Sequence, residues 1–171
     1  MTVKIFVDTN ILVYARDSTE PAKQSVAEQW LRQLWHEQSG RTSTQVLSEY
    51  YNTVTRKLEP GLDADAAWQD VQALFTWKPQ SMDKEVLSRA REIEQRSNLS
   101  WWDSMIVSAA QIQGCAILLT EDLQAGTSFD ATTIVNPFST SIAEARAAYA
   151  AVMPKPKSRH RTRGRPSLAP T

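Results

Sequence analysis

Apolar positions along the chain fall into two alternating periodicities. Val3 to Val7 is a short run rich in β-branched and aromatic residues; it stops on Asp8 and turns through Thr9-Asn10 into Ile11-Leu12-Val13-Tyr14. From Pro21 to Gln38, Val26, Trp30 and Leu34 recur at helical spacing with Ala27 and Leu31 beside them, which predicts a long amphipathic helix stopped by Gly40. Arg41-Thr42-Ser43 reads as a short extended segment. Thr44 then caps a helix from Gln45 to about Leu58, with Leu47, Tyr50, Tyr51 and Val54 on its apolar side and Pro60-Gly61 as its breaker. Asp63 and Asp65 open another helix reaching about Phe75, where early acids complement the helix dipole. Trp68, Leu74, Phe75 and Trp77 are its core candidates. A short strand is predicted near Pro79, followed by a mixed-charge helix from Asp83 to Arg96 with Val86, Leu87, Ala90 and Ile93 inward. Asn98 to Ala110 leads into a further helix ended by Gly114. Cys115 to Leu119 is a continuous apolar strand of the kind buried inside a parallel sheet. A strand near Thr133-Ile134-Val135 and a helix from Ser141 to about Val152 complete the pattern. Strands alternating with helices predict an α/β fold, a three-layer α/β/α sandwich with a central parallel sheet.

Charge divides the chain where hydrophobic periodicity ends. The 171 residues balance 19 basic against 19 acidic side chains, yet Lys155, Lys157, Arg159, Arg161, Arg163 and Arg165 all lie after the last acid, Glu144. Residues 1–153 therefore carry a net of −6, and residues 154–171 form a basic arm of +6. That arm has four prolines and no apolar periodicity, and is expected to be disordered when free. Residues 1–153 suit one compact domain. The single cysteine, Cys115, excludes an intramolecular disulfide framework and reads as a small buried hydrophobe in a reducing, cytoplasmic protein. No stretch approaches the roughly 20 apolar residues of a membrane span, and no signal peptide is expected. Trp30 and Trp35 read as packing residues, and His36 as surface.

The acids supply the chemistry. Asp8 ends the first apolar strand and Asp122 follows the buried strand that stops at Leu119. Asp103, in Trp101-Trp102-Asp103-Ser104-Met105, shares a helical face with Ile106, Val107 and Ala110, the buried face. Glu49 borders the apolar side of its helix on a stripe with Gln45, Asn52, Thr53 and Arg56. Local explanations exist for each: Asp8 as a helix cap, Asp103 as partner of Ser100 in a capping box, Asp122 or Glu121 as turn residues. Ligands in open α/β sheets gather beyond the carboxyl ends of strands, so these four carboxylates are candidates to converge. Two carboxylates about 4 Å apart repel by roughly 4 kcal/mol at an effective dielectric near 20, so convergence calls for protonation or a cation. An all-oxygen set without Cys or His suits Mg²⁺ or Mn²⁺, able to hold one or two ions and to activate water against a phosphodiester.

The blocks Phe6-Val7-Asp8-Thr9-Asn10, Val46-Leu47-Ser48-Glu49, Trp101-Trp102-Asp103-Ser104-Met105-Ile106-Val107 and Leu118-Leu119-Thr120-Glu121-Asp122-Leu123 resemble, in order and spacing, the four signature blocks of PIN domains. The nearest likeness is to VapC-type toxins of toxin–antitoxin pairs. The resemblance covers about residues 1–140 and implies a Mg²⁺- or Mn²⁺-dependent endoribonuclease, often a homodimer, held inactive by a small antitoxin. It further implies Asp8 and Asp103 as principal metal ligands, Glu49 and Asp122 as the remaining acids, and Thr9, Asn10 and Thr120 as polar residues orienting them. Glu121 leaves the register of the last acid open, with Asp122 preferred. Arg56 suits a phosphate contact. Arg163-Gly164-Arg165-Pro166 resembles the core of an AT-hook, so the arm is a candidate for RNA or DNA contact, through Arg163 and Arg165. Two rival readings stand beside this one. A haloacid-dehalogenase-like phosphatase also places an aspartate after its first strand, but wants an acid where position 10 is Asn. A non-enzymatic nucleic-acid-binding regulator would keep the fold and act through the arm.

Overall fold

The computed structural model describes residues 2–152, so Arg163, Arg165 and the expected disorder of the basic arm lie outside the described residues. In order along the chain are β1 (Ile5–Val7), α1 (Thr9–Tyr14), α2 (Pro21–Glu37), β2 (Gly40–Arg41), α3 (Thr44–Arg56), α4 (Ala64–Leu74), a 3₁₀ turn (Phe75–Trp77), α5 (Lys84–Arg96), α6 (Trp101–Ile112), β3 (Ile117–Leu119), β4 (Ser128–Phe129), β5 (Thr132–Val135) and α7 (Ile142–Val152). The strands form one sheet in the order β2-β1-β3-β5-β4, parallel throughout except for β4, which pairs antiparallel with β5 at the edge.

Every residue of β1 and β3 is buried. Successive strand side chains point to opposite faces, so full burial means that both faces of the sheet are covered. Each fully buried Ile, Leu, Phe or Val contributes about 1.5–3 kcal/mol relative to exposure, which anchors the β1–β3 pair firmly in the core. On one flank α1 packs against α2 and α3, and α3 against α4; α6 lies on β3 and β5 with α5 along it.

Local chemistry starts and stops the helices. Ser43 Oγ accepts from the Val46 N–H at 3.3 Å, so Ser43 rather than Thr44 caps α3. Asp63 accepts from the Ala66 N–H at 2.8 Å, and Asp83 from the Glu85 and Val86 N–H groups at 3.0 Å. Gly114, with φ +67°, takes the left-handed position that ends α6. Gly40 is required by packing: a Cβ there would lie 2.5 Å from the Trp77 ring.

Several sequence expectations need correction. Trp68 and Phe75 are about half exposed, because the inner stripe of α4 is Ala67, Val71 and Leu74; the two rings share the outer side and stack edge-to-face at 6.1 Å, with Tyr51 on Trp68 at 6.5 Å. Leu87 is exposed, since Val86, Ala90 and Ile93 form the buried stripe of α5. The strand near Pro79 reduces to a single bridge between Ser43 and Gln80. The antiparallel edge strand β4 is an addition to the predicted parallel sheet. Trp30 is buried, while Trp35 is partly exposed and tilted against Trp77 at 4.9 Å. His36 is exposed and Cys115 buried, as expected, with burial pushing its thiol up to about 12. Among the described residues, no helix is long and apolar enough to cross a membrane.

Candidate active site

The sheet order places β1 between β2 and β3, so the chain leaves β1 toward one side and later returns on the other. The carboxyl ends of β1 and β3 flank that switch point, where open α/β sheets form their crevice. Pairing of Val7 with Leu119 is continued by a 3.1 Å bond from the Asp8 N–H to the Leu119 carbonyl, and Thr120 N–H reaches the Val135 carbonyl at 3.1 Å. Asp8 and Thr120 are thus the first side chains beyond neighbouring strands. Both are buried.

Asp8 caps α1, its Oδ1 accepting from the Thr9 N–H at 2.7 Å. The capping reading is therefore correct, and it leaves the carboxyl in an unfavourable place for charge. Burial pushes the Asp8 pKa up to about 6; the Thr9 N–H and Thr120 hydroxyl oppose the rise, and the charges of Asp122 and Glu49 reinforce it. Thr9 Oγ1 donates to Glu49 Oε2 at 2.8 Å, and Gln45 Nε2 donates to Glu49 Oε1 at 3.0 Å. Asn10 Nδ2 donates to Thr120 Oγ1 at 3.1 Å and to Asp122 Oδ2 at 2.8 Å. The Asp122 N–H in turn donates to Thr120 Oγ1 at 3.1 Å. The first turn of α1 therefore ties α3 on one side and the turn after β3 on the other to Asp8.

Asp103 stands apart from this network. Its Oδ2 accepts from Ser100 Oγ at 2.6 Å while its N–H donates to Ser100 Oγ at 3.1 Å, a reciprocal cap at the start of α6. Gln45 links it indirectly, donating to the Trp102 carbonyl at 3.5 Å as well as to Glu49. Gln45 was legible only as a member of the Glu49 stripe; its bridging role depends on the approach of α3 to α6. Arg56 is exposed in the last turn of α3. Glu121 turns away from Asp122 and pairs with Lys23 and Tyr14.

Among the described residues, no three acidic, His or Cys side chains gather closely enough to hold an ion as they stand. The donor set nevertheless fits a hard cation. Asp8 is a desolvated carboxyl repelled by two neighbouring acids, and Asn10 Oδ1 is buried with no hydrogen-bond partner among the described residues. A divalent ion with its waters would relieve both, and the carboxylates of Asp8, Glu49, Asp122 and Asp103 would offer it only oxygen.

The fold recurs in solved structures. A toxin–antitoxin complex from Klebsiella pneumoniae aligns with a TM-score of 0.58 at 18% identity, covering 78% of this chain and 98% of that one. FitAcB from Neisseria gonorrhoeae aligns with a TM-score of 0.60 at 19% identity, covering 80% and 99%. The structure titled FitAB bound to IR36 DNA fragment gives 0.57 at 19% identity, covering 80% and 96%. At these identities the likeness establishes the fold. Comparison with curated proteins gives no match. The PIN domain family matches the sequence over residues 5–126, a span holding all four candidate acids and most of the chain, and the protein belongs to that family.

Proposed function

We propose that the chain is a Mg²⁺- or Mn²⁺-dependent endoribonuclease that hydrolyses RNA phosphodiester bonds and acts as the toxin of a toxin–antitoxin pair. The observation that carries this reading is Asp8: a buried carboxyl at the switch point of a PIN domain, with Glu49 and Asp122 close enough to raise its pKa. The phosphatase alternative falls with the family match, and Asn10 is spent on holding Thr120 and Asp122.

Asp8, Glu49, Asp103 and Asp122 would hold the ion, which when bound supplies Lewis acidity toward a phosphate and lowers the pKa of attacking water. The chain's own residues do the rest. Thr9 and Gln45 fix both oxygens of Glu49, so this carboxylate presents one orientation. Asn10 and Thr120 fix Asp122. Asp8, held by its strand and its helix cap, cannot swing away. Preorganised carboxylates lose little freedom when the ion or the substrate arrives, which is the main thing a protein contributes to such a site. Arg56, Arg163 and Arg165 are the proposed phosphate contacts, with six basic residues in the arm making affinity fall as salt rises.

An antitoxin partner is supported by the toxin–antitoxin complex among solved structures of this fold. Homodimerisation, DNA contact through the arm and a cytoplasmic location belong to the same proposal. The decisive experiment incubates the full chain with RNA and with single-stranded DNA, in Mg²⁺, in Mn²⁺ and in EDTA. Cleavage of RNA in either metal, lost in EDTA and in Asp8→Asn, is the expected result. RNA left intact in both metals overturns the reading, and removal of residues 154–171 tells the enzyme, which keeps its chemistry, from a binding regulator, which loses its activity.

A further inference from the structure

We infer that Glu121, clasped by Lys23 and Tyr14, is a positioning residue that sets the turn presenting Thr120 and Asp122 and is not itself a ligand. This rests on the metal-site reading above and adds a set of residues to it.

Lys23 Nζ donates to Glu121 Oε2 at 2.6 Å and to Tyr14 Oη at 3.0 Å, and the Tyr14 hydroxyl donates to Glu121 Oε1. The same ammonium lies 4.4 Å from the centroid of the Tyr14 ring and 5.1 Å from that of Phe138. The two rings meet edge-to-face at 5.2 Å. Four separate segments converge here: the end of α1, the first turn of α2, the turn after β3 and the loop after β5. An exposed ion pair contributes about 0–1 kcal/mol because both side chains must be ordered from water. This cluster differs in that Lys23 meets an anion, a hydroxyl and two ring faces at once, and both oxygens of Glu121 are used.

The consequence for the site lies one residue on. Asp122 is exposed and its side chain is held by Asn10, while its backbone is held through Thr120. Glu121 and Asp122 turn in different directions, toward Lys23 and toward Asn10, so anchoring one fixes the peptide from which the other projects. Releasing Glu121 frees that turn and leaves Asp122 to find its place from solution. Groups that orient metal ligands without touching the ion change metal affinity by about 10–100-fold when removed.

The test is Mn²⁺ titration by calorimetry on the full chain, with hydrogen exchange of the segment 120–126 followed in parallel. Glu121→Gln and Lys23→Met are expected to weaken Mn²⁺ binding by about tenfold and to speed exchange in that segment. Lys23→Arg, which keeps the charge and the stacking, restores binding, whereas a loss of folding common to all variants appears in their melting temperatures. Wild-type affinity in Glu121→Gln overturns the inference and leaves the metal site standing. Abolition of binding in Glu121→Gln with full binding in Lys23→Met also overturns it, because Glu121 then acts as a ligand. A wild-type chain that binds no Mn²⁺ overturns the metal site itself, and this inference with it.

Discussion

Thr9 and Glu49 are joined by a hydrogen bond of 2.8 Å from hydroxyl to carboxylate, across 40 positions of sequence. It couples the residue after Asp8 to the middle of α3, so the turn that carries one acid also aims another. Thr9→Val removes the donor and keeps the shape; Thr9→Ser keeps the donor. The valine variant is expected to lower Mn²⁺ affinity and kcat/KM on RNA by about tenfold, with the serine variant near wild type. Equal behaviour of valine and wild type would show that Glu49 is set by Gln45 alone.

Asp8 gives a pH dependence whose sign follows from its burial. Its folded-state pKa of about 6 lies above the ordinary 3.8, so the folded chain binds the proton more tightly than the unfolded chain. In the metal-free protein this group therefore costs nothing below about 3.8, destabilises increasingly as pH rises from 3.8 to about 6, and carries its full, constant cost above 6. The two-unit gap corresponds to about 3 kcal/mol at pH 7. Asp8→Asn should be more stable than wild type in EDTA at pH 7, with the difference vanishing near pH 4, by urea denaturation at each pH. Saturating Mn²⁺ should narrow the gap by stabilising wild type alone. An asparagine variant less stable than wild type at pH 7 in EDTA would contradict the burial argument.

Much of this arrangement was legible from local signals. The acids after β1 and β3 stood out because each follows an uninterrupted apolar run, and a parallel sheet must send such ends to one edge. The Ser100–Asp103 cap was equally readable, since it is made within one helical turn. What escaped depends on contacts between distant segments. Leu87 and Trp68 lie one position off their buried stripes, and a helical pattern alone does not say which flank meets a neighbour. Glu121 and Asp122 are adjacent acids in a turn, so only the placement of Lys23 and Tyr14 on one side and Asn10 on the other separates their roles.

Gly40 tests the packing of the edge strand. The Cβ of Gly40→Ala would fall 2.5 Å from a Trp77 ring that is itself buried and backed by Trp35 at 4.9 Å. A ring so enclosed cannot swing aside as a flexible side-chain tip does. Overpacking of this kind costs about 1–3 kcal/mol, measured as a lower urea midpoint with an unchanged slope. Trp77→Phe made in the alanine background should recover part of the loss, because it removes the ring atoms that clash; a purely additive double variant would place the strain elsewhere.

The observed cap and the proposed ligand role of Asp103 cannot be separated by one substitution. Its carboxylate accepts from Ser100 at 2.6 Å, so the stabilising cap and the proposed metal ligation would draw on the same group. Ser100→Ala removes the cap partner and leaves the carboxylate free to turn; Asp103→Asn removes the charge. Loss of the serine cap should lower stability by about 0.5–2 kcal/mol. If Asp103 serves the ion, Ser100→Ala keeps Mn²⁺-dependent RNA cleavage at temperatures where it is folded, and Asp103→Asn loses cleavage while its melting temperature changes little. That divergence between stability and activity is the expected outcome. Parallel loss of both in the two variants would make Asp103 a capping residue and remove it from the site, leaving Asp8, Glu49 and Asp122 as the carboxylates proposed to hold the ion.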